Sequence, residues 1–191
     1  MAQKILTLEK HLFSIYKQDL LELINLKDII FHDKILHNRL TNILRIKSNE
    51  KIVFFDNQIN IEVEILKETF NGKKKIYAKL LKQEKNKALV PEIIFCPSLL
   101  KKNNFEEIVY VAAQMGVSCI QPIITQKSSK KCSTGNDRLK KIMISACEQS
   151  KNFVIPYLNY PIFFDDFLKK KLVKENSEII KKIFFEEKEN N

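Results

Sequence analysis

Between Ile52 and Leu81 apolar residues recur at every second position and are rich in Val, Ile, Phe and Tyr. A β-strand imposes that period, because its side chains point alternately to the two faces of a sheet. The spacing predicts three antiparallel strands over residues 52–55, 59–66 and 76–81, joined by turns at Asp56-Asn57 and Asn71-Gly72. They make a small sheet or barrel. Ahead of them, Leu36, Leu40, Ile43 and Leu44 recur at helical spacing and predict a short helix presenting Arg39 and Arg45 near its end.

From Pro91 onward the period changes. Residues 93–96 read as a buried strand, and Asn104-Phe105-Glu106-Glu107 has the spacing of a capping box opening a helix that Gly116 closes. Residues 117–124 read as a second strand. Leu139, Ile142, Met143 and Ala146 mark a second helix, Phe164, Phe167, Leu168 and Leu172 a third, and residues 179–185 a last strand. Strands alternating with helices of this length imply a parallel α/β sheet. The fold class is therefore α/β with an all-β N-terminal domain. Domains over 1–85 and 88–191 meet at a lysine-rich linker, residues 83–87. Met115 and the Phe163-Phe164 pair are expected in the core.

Composition narrows the chemistry. The chain has 191 residues, with 33 Lys and Arg against 23 Asp and Glu, a net charge of +10. Basic residues concentrate in 67–87, with eight lysines, and in 126–141, where Lys127, Lys130, Lys131, Arg138, Lys140 and Lys141 face only Asp137. Such clusters supply the salt-dependent part of nucleic-acid affinity, although 30 of the 33 basic residues are lysine, which also fits an AT-rich coding bias. Against that background Arg39, Arg45 and Arg138 stand out, since a guanidinium forks onto phosphate in a way that an ammonium does not.

Gly72, Gly116 and Gly135 are isolated, so neither a P-loop nor a dinucleotide loop is present. The histidines are confined to positions 11, 32 and 37, which argues against a Ser-His-Asp triad or a His-rich metal site. Cys96, Cys119, Cys132 and Cys147 lack the short spacings of zinc or redox motifs. No stretch has the length of a membrane span or the pattern of a signal peptide, so a cytosolic protein without membrane or metal is expected.

Three stretches resemble the ribosomal small-subunit RNA methyltransferase E family, the 16S rRNA uridine N3-methyltransferases. They are Leu44-Arg45-Ile46-Lys47 with Phe54-Phe55-Asp56, then Ala112-Ala113-Gln114-Met115-Gly116-Val117 followed by Ile120-Gln121-Pro122-Ile123, and then Arg138 to Ile142 with Ala146-Cys147-Glu148-Gln149-Ser150 and Pro156. The last is the most specific. The pattern departs at Val111, Gln114 and Asn152, where the family has lysine, glutamate and arginine. The resemblance implies a PUA-like β-barrel that binds RNA, then a SPOUT-type parallel α/β domain that binds S-adenosylmethionine through a C-terminal knot and forms a homodimer.

Family members continue from an acidic element like Phe184-Phe185-Glu186-Glu187 into a glycine-rich loop, which does not follow here. The expected second domain is thus C-terminally incomplete and binds S-adenosylmethionine poorly by itself. A truncated product, a chain completed by a second polypeptide and a degenerate member are three explanations.

By this resemblance the chain transfers a methyl group from S-adenosylmethionine to N3 of a uridine in 16S rRNA of the small ribosomal subunit. The alternatives are a non-catalytic rRNA-binding module or a remnant of such an enzyme. Arg39, Arg45, Lys127, Lys130, Lys131 and Arg138 are the rRNA-contact candidates, or else solvated charges. Glu148 and Gln149 are candidates for the active face, or else the end of a helix whose Leu139, Ile142 and Ala146 face the core. No general base is assignable.

Overall fold

The computed structural model describes residues 12–23, 28–67, 75–128 and 136–172. The expected Asn71-Gly72 turn, the strand at 179–185, and Lys130, Lys131, Gly135 and Cys132 lie outside the described residues.

The first half forms one five-stranded sheet from β1 (Phe13–Tyr16), β2 (Asp28–Phe31), β3 (Lys51–Phe55), β4 (Ile59–Lys67) and β5 (Ile76–Lys85). Their order is β1-β3-β4-β5-β2, with β1 parallel to β3 and the other pairs antiparallel. β1 and β2 are the two edges, and no pairing between them closes the sheet among the described residues. The β3–β4 turn is fixed by buried Asp56, whose Oδ1 accepts the N–H groups of Gln58 at 2.7 Å and Ile59 at 2.9 Å. Alternate residues Ile52 and Phe54, Ile61, Val63 and Ile65, and Ile76 and Ala78 pack into one core with Leu36 and Leu40.

β5 runs past the expected end at residue 81. Its last rungs pair Gln83 with Ile61, Glu84 with Asn60 and Lys85 with Ile59, so residues 83–85 are strand rather than linker. β4 is long enough to offer them partners, and their long polar side chains stay in solvent.

The second half is a parallel sheet in two tiers. β6 (Ile94–Phe95), β7 (Cys119–Ile120) and β9 (Tyr157–Leu158) lie side by side in that order, while β8 (Ile123–Ile124) pairs with β10 (Ile162–Phe163) and Ser98 bridges to Ile123. The expected strand over 117–124 is therefore two short strands. Pro122 divides them because it has no N–H to give to the ladder, and Pro97 and Pro161 occupy the corresponding places in the flanking passes. The proline carbonyls still accept: Ile123 N–H donates to Pro97 O at 2.8 Å and Ile162 N–H to Pro122 O at 3.1 Å.

α2 (Lys102–Gln114) and α3 (Asn136–Ser150) pack against each other, and α4 (Phe164–Leu172) follows β10. α2 begins before the expected capping box. Lys101 takes the N-cap position without a side-chain bond, so Asn104 to Glu107 already lie within the helix. Its buried stripe is Phe105, Val109, Ala112 and Ala113. Met115, expected in the core, caps the end of that helix and is 71% exposed. Phe163, on edge strand β10, and Phe164 are likewise exposed.

Gly116 follows with φ +78°, the left-handed conformation that ends a helix. A side chain there would meet Leu89 Cδ1 at 2.6 Å, so the position needs glycine for close packing as well as for the turn.

The two halves are packed together. Phe55, the last residue of β3, is fully buried in the second core, where its ring meets Phe153 at 5.0 Å and Tyr16 at 5.7 Å.

Candidate functional site

The candidates Arg39 and Arg45 bracket one irregular helix. α1 (Lys34–Asn38) starts at Asp33, whose Oδ1 accepts the N–H groups of Ile35 at 2.9 Å and Leu36 at 3.0 Å. These bonds and Lys17, whose Nζ lies 3.0 Å from Oδ2, hold the Asp33 carboxyl below its usual range against the opposing effect of burial. The helix then widens into a π turn, Arg39–Ile43, with Leu44 N–H donating to Arg39 O at 2.9 Å. Arg45 ends it at φ +53°, which reverses the chain so that Ile46 N–H reaches Leu40 O at 2.9 Å. Leu40 and Ile46 are buried beneath the turn, and the Arg45 side chain is exposed.

Arg39 points to the other half of the molecule. Its Nη1 donates to Glu148 Oε1 at 2.9 Å and its Nη2 to Oε2 at 2.5 Å. Glu148 Oε1 also accepts the Tyr16 N–H at 2.9 Å, and its backbone carbonyl accepts the Ser14 hydroxyl at 2.6 Å. Two residues expected to face RNA and substrate thus bind each other. With the Glu148 side chain only 9% exposed, this carboxylate locks β1 and α1 onto α3. Gln149 beside it is exposed.

Arg138 is also engaged. Its Nε and Nη2 donate to the two Glu106 oxygens at 2.5 and 2.7 Å, joining α3 to α2 and holding the Glu106 carboxyl below its usual range. The Arg138 side chain as a whole remains two-thirds exposed. Lys127 is exposed in the turn that follows β8, where Ser128 Oγ accepts the Thr125 N–H at 2.8 Å. Among the described residues, the Arg45 and Lys127 side chains make no hydrogen bond or ion pair with another candidate.

Other residues join the halves without any signal in the sequence. Asn86 Nδ2 donates to Asp56 O at 2.6 Å and Phe153 O at 2.8 Å, and Asn57 Oδ1 accepts the Ile155 N–H at 3.2 Å. Asp56 and Asn57 read only as turn formers. Turn residues that also hold the other half of the chain carry no local mark of it.

Cys147, on the buried face of α3, donates to Val154 O at 3.8 Å. Burial, with a lesser effect from the Glu148 charge, pushes its thiol up to about 12, so it is an inert packing residue at neutral pH. Among the described residues no three His, Cys, Asp or Glu side chains converge as a metal site, and no helix is long and apolar enough to cross a membrane.

The family model for an RNA methyltransferase domain matches residues 86–191. The ribosomal RNA small subunit methyltransferase E of Rickettsia conorii is 27% identical over 129 residues, covering 67% of this chain and 51% of that protein. Its namesake from Synechocystis sp. is 30% identical over 88 residues, 46% of this chain and 29% of that protein. The chain therefore spans about half, or less, of the length of these curated relatives. The crystal structure of a ribosomal RNA small subunit methyltransferase E from Neisseria gonorrhoeae bound to S-adenosyl methionine shares the fold, with a TM-score of 0.64 at 22% identity over 84% of this chain and 65% of that one. The matched region opens at Asn86, one residue after β5 ends, and takes in the whole two-tiered parallel sheet with its helices, so the chain belongs to the RNA methyltransferase domain family.

Proposed function

We propose that this chain acts on ribosomal RNA, with S-adenosylmethionine as methyl donor and N3 of a uridine in 16S rRNA as acceptor. The observation that carries the reading is the family match over residues 86–191, on a fold shared with a solved small-subunit methyltransferase. The five-stranded sheet is the RNA-docking unit, of PUA-like kind, and residues 88–191 the SPOUT-type methyltransferase domain. Arg45 and Lys127, exposed and unengaged by other candidates, take phosphate contacts. Arg39 and Glu148 have a different part: they hold the docking unit at a fixed angle to the α/β unit, so that RNA bound by one is presented to the other. The protein works in the cytoplasm as a homodimer, a state supported by Ile94 and Tyr157, which leave apolar surface on the sheet.

The donor supplies the sulfonium methyl group when it is bound. The described residues do not form a cradle for it. Gly116, the glycine they include, is filled against by Leu89 and Asn152 and serves helix packing rather than a ligand. No catalytic step is therefore assigned to these side chains. That observation favours the second reading, a non-catalytic rRNA-binding module. Incubation with small ribosomal subunits and methyl-labelled S-adenosylmethionine separates the two. Label in 16S rRNA is the expected result, and RNA binding without label would establish the module.

A further inference from the structure

A groove of about 670 Å³ opens where the end of β5 meets the C-terminal ends of α2 and α3. We propose that it holds a single-stranded stretch of RNA, with phosphates against Lys85, Lys87 and Lys151 and one base against the apolar lip formed by Leu89 and Met115. This rests on the rRNA reading above and extends it to a second contact surface.

The charge of the groove favours a polyanion. Lys85 ends β5, Lys87 lies two residues on, and Lys151 follows α3 at φ +58°, a left-handed turn that brings it to the rim. All three are exposed, and none is in an ion pair among the described residues. The lining carboxylate, Glu84, is already met by Lys82 at 2.8 Å. Three positive charges are left without local compensation, and they belong to the two halves of the molecule.

Helix C-termini ordinarily repel anions, because their last carbonyls point outward. Here each helix has one of its last-turn carbonyls met by Asn152. Asn152 Nδ2 donates to Ala113 O at 3.1 Å, and Asn152 N–H to Cys147 O at 3.1 Å. Asn60 and Asn86 are likewise bonded to each other at 3.0 Å. The floor is a fixed, neutral amide surface.

Met115 and Leu89 supply the other requirement. They are 71% and 51% exposed in a concave surface that Lys85, Lys87 and Lys151 also line. A cationic rim next to a bare apolar lip suits a ligand that carries phosphates and a flat apolar face together. Unpaired nucleotides offer both, whereas a duplex keeps its base faces stacked inside.

The test uses the whole chain with fluorescent oligouridine and an RNA duplex of equal length. Replacing Lys85, Lys87 and Lys151 together by alanine is expected to weaken oligouridine binding at least tenfold at low salt. The slope of log affinity against log salt should fall by about 2, at roughly 0.7 for each phosphate that a lysine no longer neutralises on a single strand. Duplex binding should change far less. Met115→Glu, at an exposed position, should weaken oligouridine binding with an unchanged melting temperature. The proposal is overturned if the wild-type chain binds RNA while both variants keep its oligouridine affinity, if single strand and duplex lose affinity equally, or if polyglutamate displaces the RNA as readily as polyuridine. A wild-type chain that binds no RNA would instead remove the rRNA reading itself, and this site with it.

Discussion

The Arg39 guanidinium holds the Glu148 carboxylate through two hydrogen bonds, at 2.9 and 2.5 Å, across a separation of 109 residues in the chain. A planar fork matched to a carboxylate fixes orientation as well as distance. The pair spans the joint between the β sheet and the α/β unit, and the Tyr16 N–H completes the Glu148 coordination.

Glu148→Ala is expected to destabilise the protein by about 2 kcal/mol, since charge-assisted bonds contribute about 1.5 to 3 kcal/mol and the change leaves Tyr16 N–H and Arg39 without their acceptor. Arg39→Ala should cost less, about 1 to 2 kcal/mol, because its side chain is 37% exposed and partly screened. A double-mutant cycle by urea unfolding measures the coupling. Additive single effects would show that the fork does not join the two units energetically.

Arg45 separates folding from binding. Its left-handed backbone costs a residue with a side chain roughly 1 kcal/mol, which glycine does not incur. Arg45→Gly should therefore melt no lower than wild type while losing affinity for 16S rRNA fragments, with a salt slope reduced by about 1. Undiminished RNA affinity would make Arg45 a solvated charge.

The Asp33 cap gives a pH signature. Its carboxyl is held below the usual range chiefly by the Leu36 N–H, so the folded state favours the carboxylate. That stability is present above the ordinary carboxylate value and is lost as pH falls through the lowered one. Asp33→Ala should cost about 1 kcal/mol at neutral pH. Asp33→Asn should keep most of the cap and flatten the acid-side loss; a loss as steep as in wild type would place it at other carboxylates.

Cys147 acts at the opposite end of the pH scale. An unfolded thiol ionises near pH ~8.5, and the folded one at about 12. Between those values the unfolded chain releases a proton that the folded chain keeps, so stability falls as pH rises, by up to about 1.4 kcal/mol per unit. Cys147→Ala should make the alkaline loss shallower. Equal slopes for variant and wild type would show that the thiol ionises without resisting burial.

The period-two stretch before residue 82 and the strand and helix alternation after residue 90 are legible in the sequence because each is an amphipathic pattern facing one core. β1 and β2 are not: four-residue strands such as Phe-Ser-Ile-Tyr are too short for a period to show. The consecutive apolar residues of β3 hold more than a strand signal. Ile52 and Phe54 face one core and Phe55 the other, so the unbroken run reports burial on both sides. The division of 117–124 is also visible in principle, through Pro122. For the site, the residue types are informative and the partners are not. Arg39 and Glu148 each stand out alone, but pairing across 109 residues depends on how the two halves of the molecule pack, which no local pattern encodes.

The most direct measurement is the identity of the methylated nucleoside. Small ribosomal subunits lacking base methylation are incubated with this chain and S-adenosylmethionine, and the 16S rRNA is then digested to nucleosides and separated by chromatography with mass detection. The expected product is 3-methyluridine, absent when the chain or the donor is omitted. Methyl groups on a ribose hydroxyl or a ring carbon, or RNA that is bound and left unmodified, would contradict the N3-uridine assignment.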